Sequence, residues 1–149
     1  MRLWHKDLIP LLPREQLVAQ WRELSAIVGN ILTKGNPNHL LVNKVMNYSF
    51  NEFITYAAAV RAEMTKRGYR TMDSVWKKIT SIANNDYNIL PIEEIYKTWH
   101  NDRYMIQCMC NLEEKYDCGS ITKEEWLKIL EFVAENIADL DALWEVEYK

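Results

Sequence analysis

Arg14-Glu15-Gln16-Leu17-Val18-Ala19-Gln20-Trp21-Arg22-Glu23-Leu24-Ser25-Ala26-Ile27-Val28-Gly29-Asn30-Ile31-Leu32 is the stretch on which the fold turns. Leu17, Trp21, Leu24, Val28 and Ile31 recur at intervals of four, three, four and three, the period of a helix with one buried face. Pro13, just before it, suits a first helical position, where a missing N–H has no partner to lose. The spacing predicts a helix from about Arg14 to Leu32. On the helical wheel Arg22 and Glu23 stand at least about 100° from the centre of the apolar stripe, outside the core. Ala19 and Ala26 share their side, small enough for another segment to approach closely.

Upstream, residues 1–12 contain Pro10 and no helical period, and read as an extended N-terminal arm. Downstream, Gly35-Asn36-Pro37-Asn38 breaks the chain, and a short helical segment is expected around Leu40 to Met46. Ser49 and Glu52 form a capping box that opens a second helix, with Phe53, Tyr56, Ala57, Val60 and Met64 inward and Gly68 as its left-handed stop. Asp73 is expected to cap a third helix carrying Trp76, Ile79 and Ile82. After the Asn84-Asn85-Asp86 loop, Pro91 with Glu93 and Glu94 predicts a helix reaching about Asp117, with a break near His100-Asn101-Asp102. Thr122 and Glu125 make a second capping box, followed by the stripe Trp126, Ile129, Val133, Ile137, Leu140 and Trp144.

The fold expectation is therefore all-α. It is one compact multi-helix domain over 1–149, with an extended N-terminal arm (1–12), a core (13–118) and an acidic C-terminal helical extension (119–149) whose face is a candidate for self-association. Only four Gly and four Pro in 149 residues fit helices better than a turn-rich sheet. No apolar run follows the charged start as a secretory segment would. The longest, Ile54 to Val60, is far below the roughly 20 residues a bilayer needs, so a soluble, cytoplasmic protein without membrane contact is expected.

Cys108, Cys110 and Cys118 are too few and too clustered for a disulfide framework. Two positions apart on a helix, Cys108 and Cys110 point about 200° away from each other and cannot share an ion, so no metal site is expected. The net charge of −3 hides an asymmetry: residues 1–80 hold 12 Lys+Arg against 6 Asp+Glu, residues 81–149 hold 6 against 15. The basic half permits a nucleic-acid face, and ordinary solvated helix surfaces explain the same charges equally well.

Leu12 to Leu24, with its aromatic-Arg-Glu-Leu ending at Trp21-Arg22-Glu23-Leu24, resembles the first helix of the pyrimidine-dimer DNA glycosylases, at the right distance from the N-terminus. Lys66-Arg67-Gly68-Tyr69 is similar to the end of the family's second helix and Ile89-Leu90-Pro91-Ile92-Glu93 to the start of its third, in order. The resemblance implies a helical repair enzyme that binds and kinks damaged duplex DNA. Such an enzyme cleaves the glycosidic bond of a pyrimidine dimer and breaks the strand at the abasic site, without metal or organic cofactor. It implies the terminal α-amine, here that of Met1, as the Schiff-base nucleophile, Glu23 as the essential carboxylate, and Arg22 as a clamp on a phosphate beside the lesion. An α-amine titrates about 7.7–8.0, against about 10.4 for lysine, so α-amines are ready nucleophiles near neutrality. A carboxylate beside one can shuttle the protons of imine chemistry and stabilise a cationic sugar.

Arg2, His5, Lys6, Arg14, Gln16 and His39 complete the expected DNA contacts. A solvated basic terminus is the plain alternative for the first three. His39 matches a family histidine only across a gap, and His100 beside Asp102 reads more simply as part of a helix break than as an acid–base pair. The chain departs from the family at three places: Arg2 follows Met1 where a small threonine is usual, Ala26 stands where an arginine is usual, and the C-terminal end is acidic rather than aromatic and basic. These departures set a second expectation beside the first, a non-catalytic helical module that binds nucleic acid or protein.

Overall fold

Five α-helices build the molecule in the computed structural model, which describes residues 1–137. They are α1 (Arg14–Lys34), α2 (Phe50–Lys66), α3 (Asp73–Thr80), α4 (Asp102–Asp117) and α5 (Lys123–Asn136). The described residues hold no strand, and the fold is all-α. None of their helices is long and apolar enough to cross a membrane.

Leu17, Trp21, Leu24 and Val28 of α1 are buried as their spacing predicts, joined by Ile27, and the helix packs on α2 and α3. Pro13 is its N-cap, with extended ψ, rather than its first residue, and Gly35 closes it in the left-handed region. Both capping boxes form. Glu52 accepts from the Ser49 N–H at 3.2 Å, and Thr122 and Glu125 exchange bonds of 3.2 and 3.0 Å. Gly68 adopts a φ of +82°, which lets the Tyr69 N–H reach back to the Met64 carbonyl at 2.8 Å and satisfy a helix-end acceptor. Asp73 does not cap α3: it is the first helical residue after Met72, and its carboxylate binds Arg61 at 2.6 Å instead.

Two segments differ from expectation. Within residues 1–12, Lys6–Leu11 coils into a 3-10 helix, and Leu3, Trp4, Leu8, Ile9 and Leu12 are core residues. Its period is three: Asp7 and Pro10 face solvent while Lys6, Ile9 and Leu12 are buried, too short a pattern to register against an α-helical template. Arg67 fastens this segment to α2 by donating to the carbonyls of Leu12 (2.7 Å) and Pro10 (3.0 Å).

The second segment follows Pro91, where only Ile92–Glu94 turns, as a 3-10 helix; Tyr96 is left-handed (φ +52°), and α4 begins after the Asn101 cap. The Lys6 ammonium takes the carbonyls of Glu93 (3.2 Å) and Ile95 (2.5 Å), and Glu52 takes the Tyr96 N–H (2.9 Å). Side chains thus consume the backbone groups a continuing helix would have paired, and the loop buries Ile95, Tyr96, Trp99 and His100.

α5 packs on α4 and on the Lys6–Leu11 turn, and Trp126, Ile129 and Val133 are buried. The helix ends at Asn136, with Ile137 extended. The predicted continuation through Leu140 and Trp144 lies outside the described residues.

Candidate active site

Along the outer flank of α1 lies a cleft of about 520 Å³. Trp4 forms part of its wall. Arg14, Glu15, Gln16, Val18, Ala19, Arg22 and Glu23 line it from α1, and Lys115 reaches it from α4. The helical period produces much of this arrangement, since Glu15, Ala19, Arg22 and Glu23 lie off the apolar stripe and line the cleft. Arg22 is exposed and Glu23 half-buried, both off the core face.

Gln20 connects the cleft to the start of the chain. Fully buried, its side-chain oxygen accepts from the Trp4 N–H at 2.9 Å. That fixes the amide's orientation and turns its nitrogen toward the Arg2 carbonyl (2.9 Å) and the Glu23 carboxylate (3.5 Å). Both amide protons are then in use, the longer bond being the weaker. The Tyr56 hydroxyl lies 2.6 Å from the Trp4 carbonyl and 3.0 Å from the Gln20 oxygen, and its single proton goes to the nearer acceptor. Burial, first, and then neighbours including Glu23 hold the Tyr56 phenol well above its ordinary range, so it remains a donor. The Tyr104 hydroxyl donates to the Leu3 carbonyl. Residues 2–4 are therefore held along their backbone by three side chains, while Met1 stands 42% exposed.

The remaining predicted site residues divide. Arg2 is half-buried, 5.6 Å over the Trp4 ring and 4.0 Å from the Cys108 sulfur, so its bulk is absorbed by the protein. Arg14 is exposed and lies over Tyr69 (5.3 Å). Gln16 lines the cleft with its side-chain oxygen buried and unpaired. His39 is half-buried on a separate loop.

His5 and Lys6 are turned inward, at 3% and 7% exposure. His5 accepts from the Asp7 N–H (3.1 Å) and Lys6 is spent on loop carbonyls, so neither presents a charge to a phosphate. His100 accepts from the Lys6 N–H (2.9 Å) through Nδ1, and the cap at the helix break is Asn101. Burial, with neighbouring His5 and Lys6, pushes the His100 pKa down to about 2, and burial lowers that of His5 too. Both imidazoles pack as neutral rings, and His100 is turned to the Lys6 N–H rather than paired with Asp102.

Sequence reasoning missed Gln20 and Lys115. Gln20 carries a signal: on the wheel it sits between the Leu17–Leu24 stripe and Glu23, and a polar residue at a core border needs a partner. Lys115 carries none, because its approach depends on the packing of α4.

A family model described as pyrimidine dimer DNA glycosylase matches residues 1–77, just over half of the chain. No curated protein and no solved structure matches it.

Proposed function

The chain belongs to the pyrimidine dimer DNA glycosylase family, and on that premise we propose that it excises pyrimidine dimers from duplex DNA and nicks the resulting abasic site through a Schiff base on the Met1 amine. The amine attacks C1′ of the damaged nucleotide, and the glycosidic electron pair leaves with the pyrimidine, which takes a proton. The sugar ring opens to the imine. Loss of a C2′ proton then expels the 3′ phosphate, and water releases the amine. Glu23 is the group that moves these protons and faces the cationic sugar. Arg22, with Lys115 across the cleft, supplies charge for the flanking phosphates, and Arg14 and Gln16 extend that contact.

One observation carries this reading: the Gln20 amide nitrogen bonds both the Arg2 carbonyl and the Glu23 carboxylate, which links the backbone next to Met1 to a carboxylate that lines the cleft. The inward packing of Arg2 supports it further, since a bulky second residue is kept out of the space before the amine.

The test uses the full chain, a duplex with a single dimer, and borohydride. A nicked strand and a covalent adduct mapping by peptide mass to residue 1 are expected. Binding without nicking or adduct, by a protein with a native circular dichroism spectrum, would instead establish the non-catalytic module. Salt dependence identifies the partner in that case, being steep for phosphate contacts and shallow for a protein interface.

A further inference from the structure

Between Glu23 and Glu52 the chain contains no acidic residue, and in the middle of that stretch stands a loop that displays leucine to solvent. Leu40 is 91% exposed and Leu41 55%. The loop is firmly built. Gly35 (φ +81°) turns the chain out of α1, the Asn36 side chain accepts from the Asn38 N–H at 2.7 Å, and Asn38 is left-handed (φ +57°). The His39 carbonyl accepts from the N–H groups of Val42 (3.0 Å) and Asn43 (2.8 Å), while the Asn43 side chain accepts from the His39 N–H (3.2 Å). Pro37 and Val42 are buried on either side of the crest, and Val45 beyond. Exposed Lys34 and Lys44 flank it, and neither forms an ion pair among the described residues.

The loop is fixed to the same side of α1 as the cleft. Asn30 donates to the Pro37 carbonyl at 3.0 Å, and Asn30 follows Glu23 by seven residues. Seven residues are nearly two turns, so the two side chains stand within about 20° on the wheel and about 10 Å apart along the axis. A duplex along this flank advances 3.4 Å per base pair, which puts the loop's anchor at Asn30 about three base pairs from a sugar at Glu23.

We propose that Leu40 and Leu41 form a wedge that enters the base stack of the DNA bound at the cleft, with Lys34 and Lys44 gripping phosphates beside it. This deepens the assignment of the cleft as a DNA site and rests on it. Apolar side chains inserted at a base step unstack and kink a duplex. A crest already fixed by its own hydrogen bonds pays little ordering entropy on insertion. Residues 24–51 bring no carboxylate of their own to repel a phosphate backbone.

The experiment measures binding of wild type and the double variant Leu40→Ser/Leu41→Ser to a dimer-containing duplex carrying 2-aminopurine at successive positions on each side of the lesion. Both leucines are exposed, so the variant folds. Wild type is expected to raise 2-aminopurine emission about three steps to one side. The double variant should lose that rise and bind the duplex at least tenfold more weakly, while nicking a single-stranded abasic oligonucleotide at the wild-type rate. Equal binding and equal emission would overturn the wedge. So would a shift of the variant from self-associated to monomeric in light scattering, or loss of binding to anionic vesicles, which would make the crest a protein or lipid contact. Failure of the enzymatic reading appears separately: wild type then binds and unstacks the duplex without cutting it.

Discussion

Arg14 and Arg22 stand in solvent on the outer flank of α1, whereas His5 and Lys6, only a few residues earlier in the chain, are more than nine-tenths buried. The two regions use similar side chains for opposite ends. Inside, every charge or imidazole is committed to backbone: Lys6 to the carbonyls of Glu93 and Ile95, His5 to the Asp7 N–H, His100 to the Lys6 N–H. Outside, among the described residues, Arg22 makes no ion pair and Glu23 receives the long bond from Gln20. The inner set stabilises the fold and is closed to ligands. The outer set contributes little to the fold and remains available to a substrate. Mutations on the two sides should therefore separate activity from stability.

The largest separation is expected at Glu23. Glu23→Gln keeps the shape and the contact with Gln20 while removing the carboxylate, and proton transfer by a placed acid or base contributes about 10²–10⁴-fold. Strand cleavage should fall by at least about a hundredfold with the melting temperature unchanged within about 2 °C. A variant that melts early would move Glu23 into the structural set and break the division.

Acid should act on the inner set through its histidines. His100 is neutral in the fold with its pKa lowered to about 2, and that of His5 is also lowered, so unfolding raises both toward about 6.5 and the unfolded chain binds the extra protons. Stability is whole above about pH 6.5. Below it His100 costs about 1.4 kcal/mol per pH unit on the way toward pH 2, and His5 adds a loss of the same sign. Urea titrations from pH 7.5 to 5 should show this slope. His100→Gln, which keeps an acceptor for the Lys6 N–H, should make it shallower, and an unchanged slope would assign the acid sensitivity elsewhere.

Much of the fold was legible in the sequence because the helices carry redundant local signals. The α1 stripe has five regularly spaced apolar residues, and both capping boxes join a side chain to a backbone group only three residues away. The segments misread are those settled by distant partners. Nothing near Pro91 announces that Lys6, about 90 residues earlier, takes the carbonyls of that loop, and nothing in residues 1–12 announces Arg67 or Tyr56. For the site, Arg22 and Glu23 were readable as off-stripe charges in a family motif. The inward fate of His5 and Lys6 was not, because a basic terminus reads as solvated unless the cavity that receives it is known.

Tyr56→Phe probes the joint between the two regions. It removes the proton that reaches the Trp4 carbonyl and leaves a buried acceptor short of a donor, a cost of about 1–3 kcal/mol. At roughly 2–4 °C of melting temperature per kcal/mol, the shift is readily measured. Because Trp4 and Gln20 lean on that hydroxyl, cleavage should fall as well, more modestly than for Glu23→Gln.

The smallest effect is expected at the Arg61–Asp73 pair, far from both regions. The contact is short at 2.6 Å, yet Asp73 is 85% exposed, and water and salt screen it. Arg61 also keeps other support: it donates to Thr71 at 3.0 Å and lies over the Trp76 ring at 5.4 Å. Asp73→Asn should therefore cost less than about 1 kcal/mol, including the helix-start charge at α3, and the loss should shrink further in 0.5 M salt. A larger or salt-insensitive loss would show that contact length, and not burial, sets the value of a charge here, and the contrast between the two regions would then need another cause.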